Sequence, residues 1–103
     1  MKIVINKTVS AIYASKKLII PGTNVLKDDE FDETAGDAKS FIENGDLVLK
    51  TSDKWTAEDK KEAVNNVTNR DNLNKLKELD RKLDVTAAEQ KLDKFDEQLN
   101  KAK

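Results

Sequence analysis

The hydrophobic rhythm of the chain changes once, near residue 51. Before that point apolar residues come in short runs, at Ile3-Val4-Ile5, Leu18-Ile19-Ile20, Val25-Leu26 and Leu47-Val48-Leu49. Short β-branched and aliphatic runs bounded by polar residues predict strands. Val9 to Tyr13 continues the first strand or forms a second. The run Lys17–Ile20 stops at Pro21-Gly22. Proline fixes φ and glycine accepts positive φ, so this pair predicts a tight turn. With Asn24-Val25-Leu26 it gives a hairpin or bent β-ribbon. Ala38, Phe41 and Ile42 recur at i, i+3, i+4 and predict a short helix over 37–45. Asn44-Gly45 ends that helix, since either residue tolerates the left-handed region.

Beyond residue 51 the period becomes helical. Residues 51–103 contain no glycine or proline. Residues 51–56 read as a linker, with Thr56 as the N-cap of a helix reaching about Val67. Thr68-Asn69 breaks and re-caps it. Leu73, Leu76, Leu79 and Leu83 line one face of a second helix. Asp84-Val85-Thr86 is a short connection, and Thr86-Ala87-Ala88-Glu89 matches a capping box. Ala88, Leu92, Phe95, Leu99 and Ala102 then form a narrow seam, as in a helical hairpin or short coiled coil. The short connection makes the last two helices antiparallel neighbours. The fold class expected is α+β. A small β-rich module with one short helix occupies 1–50, and a helical module occupies 57–103.

Composition narrows the function. Hydrophobic residues are 37% and charged residues 38% of 103, so apolar material is scarce and stability from a partner or from self-association is expected. The net charge of −1 gives no field to draw the chain onto nucleic acid or lipid. There is no cysteine and no histidine. That removes thiolate chemistry, the commonest general base and the commonest transition-metal ligand. The N-terminal apolar run is too short for a signal peptide, and no stretch reaches membrane-spanning length. No membrane association is expected.

Candidate chemistry is thin. The acidic run 28–33 offers oxygen ligands for Ca²⁺, but an EF-hand loop needs glycine at its sixth position. Gly36 falls later, at the ninth from Asp28. A solvated acidic loop is the better reading. Carboxylate pairs such as Asp80 with Asp84 are common at this acidic content and come with no cleft signature. Pro21-Gly22-Thr23-Asn24 lacks the second glycine and the Gly-Lys-Ser/Thr of a phosphate loop. No serine has a histidine to activate it. No catalytic, cofactor-binding or metal-binding set is therefore expected, and an enzyme is the least supported class.

Trp55 stands just before an N-cap. It either packs onto a module as a staple or serves as a binding anchor, and packing is favoured because one ring is a large share of a small core. With Leu76, Leu79, Leu83, Leu92, Phe95 and Leu99 it makes the partner-binding candidate set. Arg70, Lys75, Arg81 and Lys82 are the candidates for nucleic-acid contact. Residues 51–103 carry 12 basic and 12 acidic residues, so a solvated, salt-bridged face is favoured over a DNA footprint.

The order of motifs resembles that of small tailed-bacteriophage proteins, among them the Mu-like prophage head-region class. The match rests on a lysine-bearing strand at Lys2–Asn6, the hairpin with Pro-Gly-x-x-Val at Leu18–Val25, and the acidic stretch Asp28–Glu33. A short helix at Ala38–Gly45, the closing strand Leu47–Leu49 and the helical tail Leu76–Lys82 and Val85–Leu99 complete it. The longer stretch at 28–36 departs from that pattern. The resemblance implies a virion structural or assembly role (head decoration, head–tail connection or a related accessory) with assembly in the host cytoplasm and no catalytic residues. Its expected partners are other virion proteins or a second copy. A phage-encoded nucleic-acid-binding accessory and a host-directed inhibitor are the alternatives.

Overall fold

A computed structural model describes residues 1–51 and 53–101, with side chains up to residue 94. The fold is α+β. Five strands, β1 (Lys2–Asn6), β2 (Ile12–Ala14), β3 (Lys17–Ile19), β4 (Gly22–Leu26) and β5 (Leu47–Thr51), combine with four helices. These are α1 (Gly36–Glu43), α2 (Ala57–Asn65), α3 (Arg70–Leu79) and α4 (Thr86–Lys101).

The strand β1 is central, with β4 and β5 antiparallel on either side. Its continuous apolar run has a direct cause, because both faces of the sheet are covered. Ile3, Ile5 and Val25 face a core built with Ala63, Val64, Val67, Leu73, Leu76, Val85, Ala88 and Leu92 of the helical half. Val4, Leu26 and Leu47 face a second core with Ile12, Ala14, Ile19, Phe31 and Ala38. One apolar core thus crosses the change of rhythm near residue 51.

The hairpin differs from the expectation. Its turn is Ser15-Lys16, both with positive φ (54° and 61°), joining β2 to β3. Two successive left-handed residues match the right-handed twist of a two-residue hairpin. Neither is glycine or asparagine, so the usual signal was missing. Pro21-Gly22 is instead the corner where the chain leaves this hairpin and enters the main sheet, because β4 pairs with β1 and not with β3. Gly22 has φ +87°, and a Cβ there would lie 2.1 Å from the Asn66 carbonyl oxygen. Of the run Val9–Tyr13, only residues from Ile12 onward are strand.

Two buried asparagines fasten the hairpin to the sheet. Asn6 Nδ2 donates to the carbonyls of Ser10 and Ile19 at 2.9 and 3.1 Å. Asn24 Nδ2 donates to Ile20 O at 2.9 Å, and Asn24 Oδ1 accepts from Ile20 N–H at 3.1 Å.

The helical boundaries follow local capping. Thr56 and Asp59 form a capping box at the start of α2, and Asn69 caps α3 through the Asn72 N–H. The helix α3 ends at Leu79, so Leu83 lies in the turn after it and not on its face. The helix α4 begins at Thr86 itself, whose N–H donates to Asp84 Oδ1 at 3.1 Å. The N-terminal bond at Thr86 therefore comes from Asp84. Ion pairs Lys77–Glu89 and Arg70–Asp93 run in opposite order along α3 and α4, so the two are antiparallel.

Candidate functional site

Most large apolar side chains are buried. Among the described residues the exceptions are Met1, 37% exposed, and three residues at the β2–β3 hairpin, where Tyr13 is 64% and Leu18 57% exposed, with Val9 97% exposed just before it. Tyr13 and Leu18 are directly opposite across the strands. Ile12, Ala14 and Ile19 alternate with them and point into the core. Strand alternation thus sends one face inward and leaves an aromatic–aliphatic pair in solvent. No sequence signal separated this face from the inner one, because Ile12 and Tyr13, or Leu18 and Ile19, are equally apolar.

The edges of the main sheet are unequal. On β4 the outward N–H of Thr23 donates to Asn66 O at 2.9 Å, and that of Val25 to Asn72 Oδ1 at 2.9 Å. That edge is closed by the α2–α3 junction. On the other side Lys7 N–H donates to Asp46 O at 2.8 Å. Antiparallel alternation then turns the backbone groups of Leu47, Leu49 and Thr51 away from β1. Leu47 is buried and the outward carbonyl of Thr51 accepts from the Lys54 N–H at 3.1 Å, so little of this edge is open.

The expected leucine seam is divided. Leu76 and Leu92 are buried in the intramolecular core, with Leu79, Leu83 and Trp55 partly buried against it. Trp55 packs as a staple does, and Lys60 Nζ sits 5.6 Å from the centre of its ring. The side chains of Phe95 and Leu99 lie outside the described residues.

The basic set is also divided. Arg70 pairs with Asp93, and Lys75 lies 3.5 Å from Asp71. Arg81 and Lys82 are exposed in the turn beyond α3. The fold does not bring these four into one unopposed positive stripe.

A groove of about 690 Å³ opens between α2, the turn after α3 and the start of α4. Asp80 and Asp84 both line it. Lys60 holds the Asp80 carboxyl below its ordinary range through a 2.9 Å ion pair. Bonds from the Thr86 N–H and hydroxyl lower Asp84. Neither carboxyl is kept protonated, so the pair offers no general acid of the kind that two-carboxylate hydrolysis needs. Among the described residues no group of three or more acidic side chains is placed to hold a metal ion. No described helix is long and apolar enough to cross a membrane.

Comparison with known proteins finds no matching family model, no matching curated protein and no matching solved structure.

Proposed function

We propose that this chain is a non-enzymatic bacteriophage structural or assembly protein that acts through protein–protein contacts. Head decoration, head–tail connection or a related accessory place in the virion fits it, with assembly in the host bacterial cytoplasm. The motif order Lys2–Asn6, Leu18–Val25, Asp28–Glu33 and Ala38–Leu49 supports the phage setting. The observation that carries the contact role is the outward face of the hairpin, Tyr13 and Leu18, with Val9 exposed just before it. A chain with so little apolar material leaves an aromatic–aliphatic pair in water at a cost, and a protein partner removes that cost. Leu76 and Leu92 are buried within the fold, with Trp55, Leu79 and Leu83 partly buried against it, and this reading takes the hairpin as the docking face.

Mass spectrometry of purified phage particles from the native host tests the reading. The chain is expected in the particles, and to stay there through a high-salt wash, because an apolar contact is not screened. Its absence from particles, with recovery on a host protein or on DNA instead, overturns it.

A further inference from the structure

Asn44-Gly45 is the only asparagine–glycine pair in the sequence, and it makes the turn from α1 into β5. The helix ends there in a Schellman motif. The Gly45 N–H donates to Ile42 O at 3.1 Å, and the Asp46 N–H to Phe41 O at 3.0 Å. Asn44 keeps a right-handed backbone, and Gly45 takes φ +84°. The Asp46 carbonyl then accepts the Lys7 N–H at 2.8 Å, which seats the start of β5 beside β1.

Asn44 is exposed, and its carboxamide has no hydrogen bond among the described residues. Asn6, Asn24, Asn66, Asn69 and Asn72 instead have theirs bonded to main-chain groups. Asn65 and Asn74 are exposed too, but a residue with a side chain follows each, Asn66 and Lys75. Gly45 presents its nitrogen with no side chain beside it, and nothing lies within 4 Å of where a Cβ would be. The bond that engages this nitrogen sits at the last turn of a short helix, where local opening is easiest.

We propose that Asn44 is a site of spontaneous deamidation, and that its isoaspartyl product unfastens the turn between α1 and β5. The Gly45 nitrogen gives its proton to solvent and bonds to Asn44 Cγ. The Cγ–Nδ2 bond breaks, and ammonia leaves. Water then opens the resulting cyclic succinimide at either carbonyl. One opening gives aspartate. The other leaves the main chain running through Cβ and Cγ, an isoaspartyl link with an extra main-chain carbon. The net change in both is water in and ammonia out. The extra carbon moves Gly45 and Asp46 out of register with Ile42 O and Phe41 O. The new carboxylate falls between Glu43 and Asp46, at a helix C-terminus with no basic residue in its last turn. The helix dipole disfavours an anion there.

The test holds the folded full chain in mildly alkaline buffer, which promotes loss of the Gly45 amide proton. Samples are mapped by peptide mass spectrometry with fragmentation that separates aspartyl from isoaspartyl links. Expected is conversion at Asn44 several-fold faster than at Asn65 or Asn74, with isoaspartate the larger product. The urea midpoint of the converted chain is expected to fall. Asn44→Gln is expected to stop conversion at this position, because the larger ring closes far more slowly, and to keep its midpoint through the same incubation. Asn44→Asp adds the charge without the extra carbon, and its midpoint is expected to lie between those of the fresh and the converted wild type. No conversion at Asn44 in the folded chain overturns the site, as does conversion no faster than at Asn65 and Asn74. An unchanged midpoint after conversion overturns the effect on the turn, as does an equal fall in incubated Asn44→Gln.

Discussion

Gly22 shows how one residue can be indispensable for a reason its neighbours hide. The sequence marks it as turn glycine beside Pro21, yet its role is a close approach. Its φ is +87°, and the Asn66 carbonyl occupies the place of a side chain. The Thr23 N–H donates to that same carbonyl at 2.9 Å. Gly22→Ala therefore strains the backbone and parts β4 from the α2–α3 junction. Urea denaturation is expected to show a loss of at least about 2 kcal/mol. Gly36→Ala is the control, since nothing lies within 4 Å of a Cβ there. It is expected to be neutral or stabilising by up to about 1 kcal/mol. Asn72 is the helical half's counterpart to Gly22. It is buried, and its Oδ1 takes the outward N–H of Val25 at 2.9 Å. Asn72→Ala leaves a buried donor unmet and is expected to cost about 1–3 kcal/mol in the same experiment. Neither role was legible in the sequence. Each depends on a contact between residues more than forty positions apart, whereas local signals report only near neighbours.

Elements were more legible than their pairings. The strands at Lys2–Asn6, Lys17–Ile19 and Leu47–Thr51, the helix ending at Asn44-Gly45 and the caps at Thr56 and Asn69 follow from local chemistry. The hairpin turn did not, because Ser15 and Lys16 adopt left-handed conformations that their side chains disfavour. Asp37 and Ser15 itself hold it, with the Ser15 N–H bonded to the Asp37 carboxylate and Ser15 Oγ accepting from Asp32 N–H at 2.7 Å. Lys16 is exposed. Lys16→Gly relieves the left-handed cost and is expected to raise stability by about 1 kcal/mol, read from the thermal midpoint.

Ion pairs between elements give a pH dependence with a definite sign. The Lys50 ammonium on β5 holds Asp59 of α2 below its ordinary carboxyl range, and Asp59 in turn raises Lys50. Lys7 lowers Glu62, Lys2 lowers Glu33 and Lys17 lowers Glu30. A carboxyl whose folded value is depressed contributes fully above its unfolded value and loses that contribution as pH falls through the folded one. For Lys50 the contribution holds up to its ordinary 10.5 and is lost as pH rises through the higher folded value. The urea midpoint is therefore expected to stay level near neutrality and fall below about pH 4.5. Lys50→Met is expected to make the acid fall shallower, since Asp59 then titrates nearer its unfolded value.

At the scale of the molecule the change in sequence rhythm near residue 51 marks a change of element type, while the core runs across it. Ile3, Ile5 and Val25 need Leu73, Leu76 and Leu92 as their cover. The sequence showed the leucine face of α3 clearly. It did not show that face's destination, because a face packed on the chain's own sheet and one packed on a partner share the same period. The same ambiguity hid the hairpin's outer face, whose apolar residues look alike until alternation assigns Tyr13 and Leu18 outward. This outward pair is proposed to hold the chain in a phage particle. The direct measurement is the amount of chain retained in purified particles when the wild type and Tyr13→Ser/Leu18→Ser are expressed equally. Both side chains are more than half exposed, so the double variant is expected to fold as the wild type does by circular dichroism. Retention of the wild type and loss of most of the folded double variant is the predicted result. Equal retention of the two, or particles that hold neither, would contradict the claim.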